Sequence, residues 1–194
     1  MYKLCKTEQS AARQRELEEG LLKAMQNTRY EDISVSDLCD QLQIPRKSFY
    51  RYFTSKDGAL QALLDHTLME FEQYTIAYER GHIRTVRLDL ESFFQFWLEH
   101  RNLLDALARS GIIGMLIERA IVFALTDDIL PKRFLPGDSP EMQRQITMFG
   151  VCGLMSMVLH WYTENFVQPV SEMARMAARM LSQPLFPQAD RYVQ

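Results

Sequence analysis

Four basic residues, Arg46, Lys47, Arg51 and Lys56, fall between Gln41 and Lys56 with no acid among them. The whole chain is mildly acidic, with a formal net charge of −3, so its distribution of charge matters more than its sum. Residues 1–56 carry ten Lys or Arg against eight Asp or Glu, whereas the remainder carries twelve against seventeen. These residue types suit a duplex of DNA. A guanidinium forks onto guanine O6 and N7, and a serine hydroxyl serves either base type. Arg46, Lys47 and Ser48 would supply those contacts from the leading turn of a short helix. Tyr50, Arg51, Tyr52 and Lys56 lie further along, suited to phosphates that fix register without reading sequence. Phe49 and Phe53, four apart, would share the buried side of the same helix.

The elements around this window follow from periodicity and capping chemistry. Leu17, Leu21 and Met25 mark one apolar face of a first helix over about Glu8–Gln26, and the pattern breaks at Asn27–Asp32. Ser34 is placed to cap a helix from Val35 to about Gln41, with Asp37 at the favourable end of its dipole. Pro45 fits the first position of the next, short helix, which ends near Tyr52. Ser55 then caps a long helix to about Tyr78, closed by Gly81. Two short helices joined by a tight turn, the second basic, make a helix-turn-helix, whose second helix enters the major groove. Further amphipathic segments cover about Thr85–Glu99, Leu103–Arg109, Ile112–Thr126, Glu141–Asn165 and Ser171–Ser182, with a Pro- and Gly-rich loop at Asp127–Pro140. No period-two strand pattern occurs, so the expected fold is all-α with about nine helices.

The runs S-V-S-D-L-C (Ser34–Cys39) and I-P-R-K-S-F-Y-R-Y-F-T-S-K-D-G-A-L (Ile44–Leu60) resemble the TetR/AcrR family of transcriptional regulators. The resemblance is strong over about Arg13–Leu64 and much weaker beyond. It implies a three-helix DNA-binding domain at residues 1–56 and a helical effector-binding and dimerisation domain at 57–194. Ser48 and Tyr50 stand where family members touch DNA, and Tyr52 and Lys56 stand at phosphate-contacting positions. Ser36 takes the place of a base-reading Arg found in some members, and with Ser34 it completes the expected DNA-facing set. Three departures affect the turns: Gln43 and Arg29 replace family glycines, and Pro45 replaces the usual hydroxyl cap. A non-glycine residue in the left-handed region costs about 1 kcal/mol.

The second half carries two further expectations. Gly150, Gly153 and Ser156 put small residues every third position beside Leu154, Met157 and Trp161. Met173, Met176, Ala177, Met180 and Leu181 form an apolar stripe on the last helix. Paired with their symmetry mates, these two helices would form the four-helix interface of a homodimer, which resembles the family's own. Phe94, Trp97, His100, Met115, Phe123 and His160 are the candidate lining of a cavity for a small hydrophobic effector. The expected protein is thus a cytoplasmic dimer binding an operator, commonly as a repressor released by ligand. A helical regulator of the same fold acting through a protein partner, as activator or scaffold, is the alternative.

Several classes are disfavoured. Cys5, Cys39 and Cys152 have no C-x-x-C spacing, and Cys39 reads as a small buried hydrophobe. His66, His82, His100 and His160 have no metal-ligand spacing, and no cofactor motif is present. No G-x-S-x-G, H-E-x-x-H or phosphate-loop pattern occurs, and the pairs Glu99-His100 and Asp127-Asp128 read as ordinary surface, so an enzyme is not expected. Residues 1–6 lack the apolar stretch of a secretory signal. The apolar windows Gly111–Thr126 and Met148–Thr163 fall short of a bilayer span by sequence and read as buried helices.

Overall fold

Thr7 opens the first helix, α1 (Glu8–Met25), by accepting the Ser10 N–H on its hydroxyl. In this computed structural model, residues 1–3, 5–78, 80, 85–126 and 139–182 are described. The expected turn at Gly81, His82, and most of the expected loop, residues 127–138, lie outside them. A single 3₁₀ turn, Tyr30–Asp32, follows α1 and leads to α2 (Val35–Gln41), α3 (Arg46–Tyr52) and α4 (Lys56–Tyr78). Then come α5 (Val86–Glu99), α6 (Arg101–Arg109), α7 (Gly114–Thr126), α8 (Pro140–Thr163) and α9 (Val170–Ser182). Apart from one isolated antiparallel bridge between Tyr2 and Phe53, the described residues are helical or loop. Pro140, expected in the loop, is the first residue of α8, where Ser139 caps it and a missing N–H costs little.

Two compact units emerge: Met1–Glu70 with His100–Asp127, and Phe71–Glu99 with Asp128–Gln194. In the first, Leu17, Leu21 and Met25 of α1 are buried as their spacing predicts, together with Leu38, Cys39, Phe49, Phe53, Leu60 and Leu64. In the second, α5 packs along α9. Phe94, Phe96, Trp97 and Trp161 are fully buried there, and Phe94 meets Trp161 edge-on at 5.8 Å between ring centroids. Such edge-to-face pairs add about 0.5–1.5 kcal/mol beyond the area they bury.

The two apolar windows do not behave as buried helices. On α7 only Leu116 and Ala120 are buried, while Val122 and Leu125 are exposed. The helix α8 has 24 residues, so by length and composition it is apolar enough to cross a membrane. Only 22% of that apolar window is buried, and Phe149 is 66% exposed. The expected helix over about Glu141–Asn165 matches α8 closely, but its apolar window, expected to be buried, lies mostly on the surface.

Candidate nucleic-acid interface

The helix-turn-helix is built by two local devices. Ser34 accepts the Asp37 N–H on its hydroxyl while the Asp37 carboxylate accepts the Ser34 N–H, which is a reciprocal capping box. The Ser34 hydroxyl, and then its N–H, donate to the Asp37 carboxylate and hold it below its ordinary range. At the other end of α2, Gln43 sits at φ 52°, and the Ile44 and Gln43 N–H groups donate to the Cys39 and Asp40 carbonyls. This is a Schellman turn made with glutamine where glycine would be easiest. Arg29, the other glycine replacement, has φ −64° and carries no such strain.

The turn delivers α3 with Pro45 as its cap at φ −63°, one residue earlier in role than expected. Arg46, Lys47, Tyr50 and Arg51 are exposed, and Ser48 is half-buried. Neither Arg46, Lys47 nor Arg51 has an ion-pair partner among the described residues. Pro45, Lys47, Ser48, Tyr50 and Arg51 line one shallow groove open to solvent. Beneath them Phe49 and Phe53 are wholly buried, with ring centroids 5.1 Å apart. Cations and hydrogen-bond donors therefore stand on one side of a seven-residue helix whose other side is anchored by aromatic rings.

Four expected DNA contacts sit elsewhere. Tyr52 is 8% exposed and packs against Phe53, because positions 49, 52 and 53 form one core stripe. The Ser34 hydroxyl is engaged in its cap, and Ser36 is half-buried on α2. Lys56 has turned inward. Its ammonium donates to the Tyr30 and Ile33 carbonyls at 2.5 Å and to that of Glu31 at 3.3 Å. It also lies 4.3 Å from the centre of the Tyr30 ring, a cation–π contact. The Tyr30 phenol donates to Asp57 at 2.5 Å, and burial with that carboxylate pushes its pKa far above the ordinary phenol. Lys56→Met should therefore lower stability by about 1–3 kcal/mol, the cost of taking the ammonium away from the part-buried Ile33 carbonyl and from that of Tyr30, which keeps only the Ile33 N–H. The shift in urea midpoint measures it.

A segment that the sequence reading left aside also belongs to this region. Met1–Lys3 runs antiparallel to residues 52–54, the Lys3 N–H donating to the Tyr52 carbonyl at 3.0 Å. The Thr54 N–H and hydroxyl both donate to the Met1 carbonyl. Tyr2 donates its phenol to Asp65 at 3.0 Å, and Arg119 holds the other oxygen of that carboxylate at 2.6 Å. Burial, and then Asp65, push the Tyr2 phenol up to about 12. No spacing rule announces this strand, since a single bridge has no periodicity.

The candidate effector residues divide between the units: Phe94, Trp97 and His160 in the second, His100, Met115 and Phe123 in the first. Phe94 and Trp97 are fully buried among other rings, His160 is exposed, and the remaining three are half-buried. Of the residues expected at a dimer interface, Gly153, Met180 and Leu181 are exposed, and Gly150, Leu154, Met157 and Met176 half-buried. Open space surrounds Gly150 and Gly153 where a side chain would project. Trp161 and Met173 are instead core residues, together with Ala177. The Trp161 indole donates to the Gln168 carbonyl, and its ring packs on Phe94 and Phe166, so its surface is used within the chain.

No known family profile matches this chain, and no curated protein matches it in sequence. Solved structures do. The fatty acid degradation regulator FadR from Bacillus halodurans superimposes with a TM-score of 0.62 at 13% identity, over 89% of this chain and 96% of that one. The TetR family repressor AlkX from Dietzia sp., implicated in biodegradation of n-alkanes, gives 0.53 at 14%, over 93% and 97%. The chain has the fold of TetR-type regulators. The transcriptional regulator FadR from Bacillus subtilis, solved with stearoyl-CoA, gives 0.56 at 14% identity, over 89% and 99%. These three structures are of transcription regulators, not of enzymes.

Proposed function

We propose that this TetR-like chain is a dimeric, sequence-specific DNA-binding regulator of the TetR/AcrR family, acting in the cytoplasm as a repressor. Residues 1–56 would form the reading head and 57–194 the effector-binding and dimerisation part. One observation carries the reading: α3 presents Arg46, Lys47, Tyr50 and Arg51 to solvent, and none of its cations is held in an ion pair among the described residues, although Arg46 lies near enough to Asp37 to favour its charge. A major groove admits one such helix, and its leading residues reach base edges. The exposed face of α8, with Phe149, Gly150 and Gly153, supports close approach of a second subunit, helped by Met180 and Leu181 of α9. Two reading helices about 34 Å apart would then meet successive major grooves.

The effector would be a small hydrophobic molecule. The aromatic content of α5 supports this, as does the acyl-CoA held by one structural neighbour. It would act by population shift, favouring a conformation in which the two heads no longer match the groove spacing. The test is selection of bound duplexes from a random library, followed by a salt titration on the selected site. A dimer contacting roughly six to ten phosphates should lose about 10³–10⁵ in affinity between about 50 and about 200 mM salt. Failure to enrich any sequence, with a flat salt response, would remove operator binding.

A further inference from the structure

We propose that Met1–Lys3 is a fixed basic arm that carries Lys3 onto the DNA backbone at the C-terminal end of α3. The inference rests on the reading that α3 enters the major groove. It adds a phosphate-binding residue outside the helix-turn-helix.

The arm has a fixed course. Its backbone is tied at both ends, Lys3 to the Tyr52 carbonyl and Met1 to Thr54. Its middle residue turns inward, Tyr2 reaching Asp65 and meeting the His66 ring edge-on at 5.6 Å. In an extended segment successive side chains leave on opposite faces, so Lys3 points away from the body of the protein. It is exposed there, without an ion-pair partner among the described residues. Tyr52 is the last residue of α3, so the ammonium of Lys3 starts from the end of the proposed reading helix. A helix lying in the groove is flanked on both sides by sugar-phosphate backbone. A flexible, strongly hydrated lysine beside it serves as a point charge for phosphate, whatever the base sequence.

Gly58 makes this placement specific. A side-chain carbon there would stand 2.4 Å from the Met1 carbonyl oxygen and 3.0 Å from its carbon and nitrogen. The first turn of α4 is thus kept bare where the arm crosses it. Any larger residue at 58 must push the arm off, although alanine favours the helix itself.

Salt titration of the selected duplex tests the arm. Lys3→Ala removes one phosphate contact per subunit, so the slope of log affinity against log salt should fall by about two for the dimer. Equivalently, the affinity lost between about 50 and about 200 mM salt should shrink by about tenfold. Lys3→Arg keeps the charge and should restore the slope. Gly58→Ala should reproduce the Lys3→Ala slope with its helical circular dichroism intact, and the double variant should be no worse than either single one. If Gly58→Ala fails to fold, the Ala and Arg variants at position 3 decide alone. A Lys3→Ala slope equal to that of the parent protein overturns the arm and leaves operator binding standing. A parent protein with no salt-dependent binding overturns the underlying reading instead.

Discussion

Arg46→Ala is expected to abolish discrimination at one base position in each half-site while leaving the fold intact. A bidentate guanidinium contact to guanine is worth about 1–3 kcal/mol of discrimination. Two copies in a dimer would therefore cost about 2–6 kcal/mol of operator affinity. Arg46 is exposed and stands in the first turn of α3, the part of a reading helix that approaches base edges. The loss should be confined to the operator. Affinity for unrelated DNA should fall only by the small share that Arg46 contributes as a plain charge. Titrating a matched duplex and a set of single-base variants against parent and mutant reads the difference. If the mutant discriminates as sharply as the parent at every position, α3 does not read bases through this residue. Lys47→Ala provides the contrast. Lysine lacks the planar fork, so its removal should weaken matched and mismatched duplexes more evenly.

Much of the helix-turn-helix was legible because its local signals agree. The Ser34–Asp37 cap, Pro45 at the start of α3 and Ser55 before α4 all fix boundaries by backbone chemistry alone. The residues that moved did so for tertiary reasons. Tyr52 looked like a groove residue in the sequence, but a helix of seven residues ending at 52 turns that position toward Phe49 and Phe53. Lys56 looked like a free cation because the turn at Tyr30–Asp32 read only as a break in periodicity. In the fold that break is a compact 3₁₀ turn whose Tyr30 and Ile33 carbonyls accept from the Lys56 ammonium. Trp161 shares a helix with Gly150 and Gly153 but faces inward to Phe94. A stripe of small residues marks one face of α8, and nothing in the sequence says how far round the helix the core extends. The Met1–Lys3 segment gave no signal at all, since its partners are fifty residues away and the close approach that bars a side chain at Gly58 exists only once the chain is folded.

The integrity of that helix-turn-helix depends most on the ring of Phe49. It is wholly buried, lies 5.1 Å from Phe53 and 5.5 Å from Tyr50 by ring centroids, and sits under the middle of α3. A seven-residue helix does not persist in water by propensity, because nucleation costs more than so few hydrogen bonds return. Its stability has to come from what it packs on. Phe49→Ala removes that packing and leaves a void, at a cost of about 3–5 kcal/mol. Domains hold only about 5–15 kcal/mol in total, so the variant should lie near the edge of folding. Phe49→Leu keeps most of the volume and should cost less, giving a graded pair if the alanine variant proves insoluble. Urea unfolding at a fixed protein concentration measures both, since coupling to a dimer makes apparent stability depend on concentration. DNA binding should fall in the same order as stability, for matched and unmatched duplexes alike, which separates this effect from that of Arg46. A Phe49→Ala protein with the parent's urea midpoint would mean that α3 takes its shape from something other than the core beneath it.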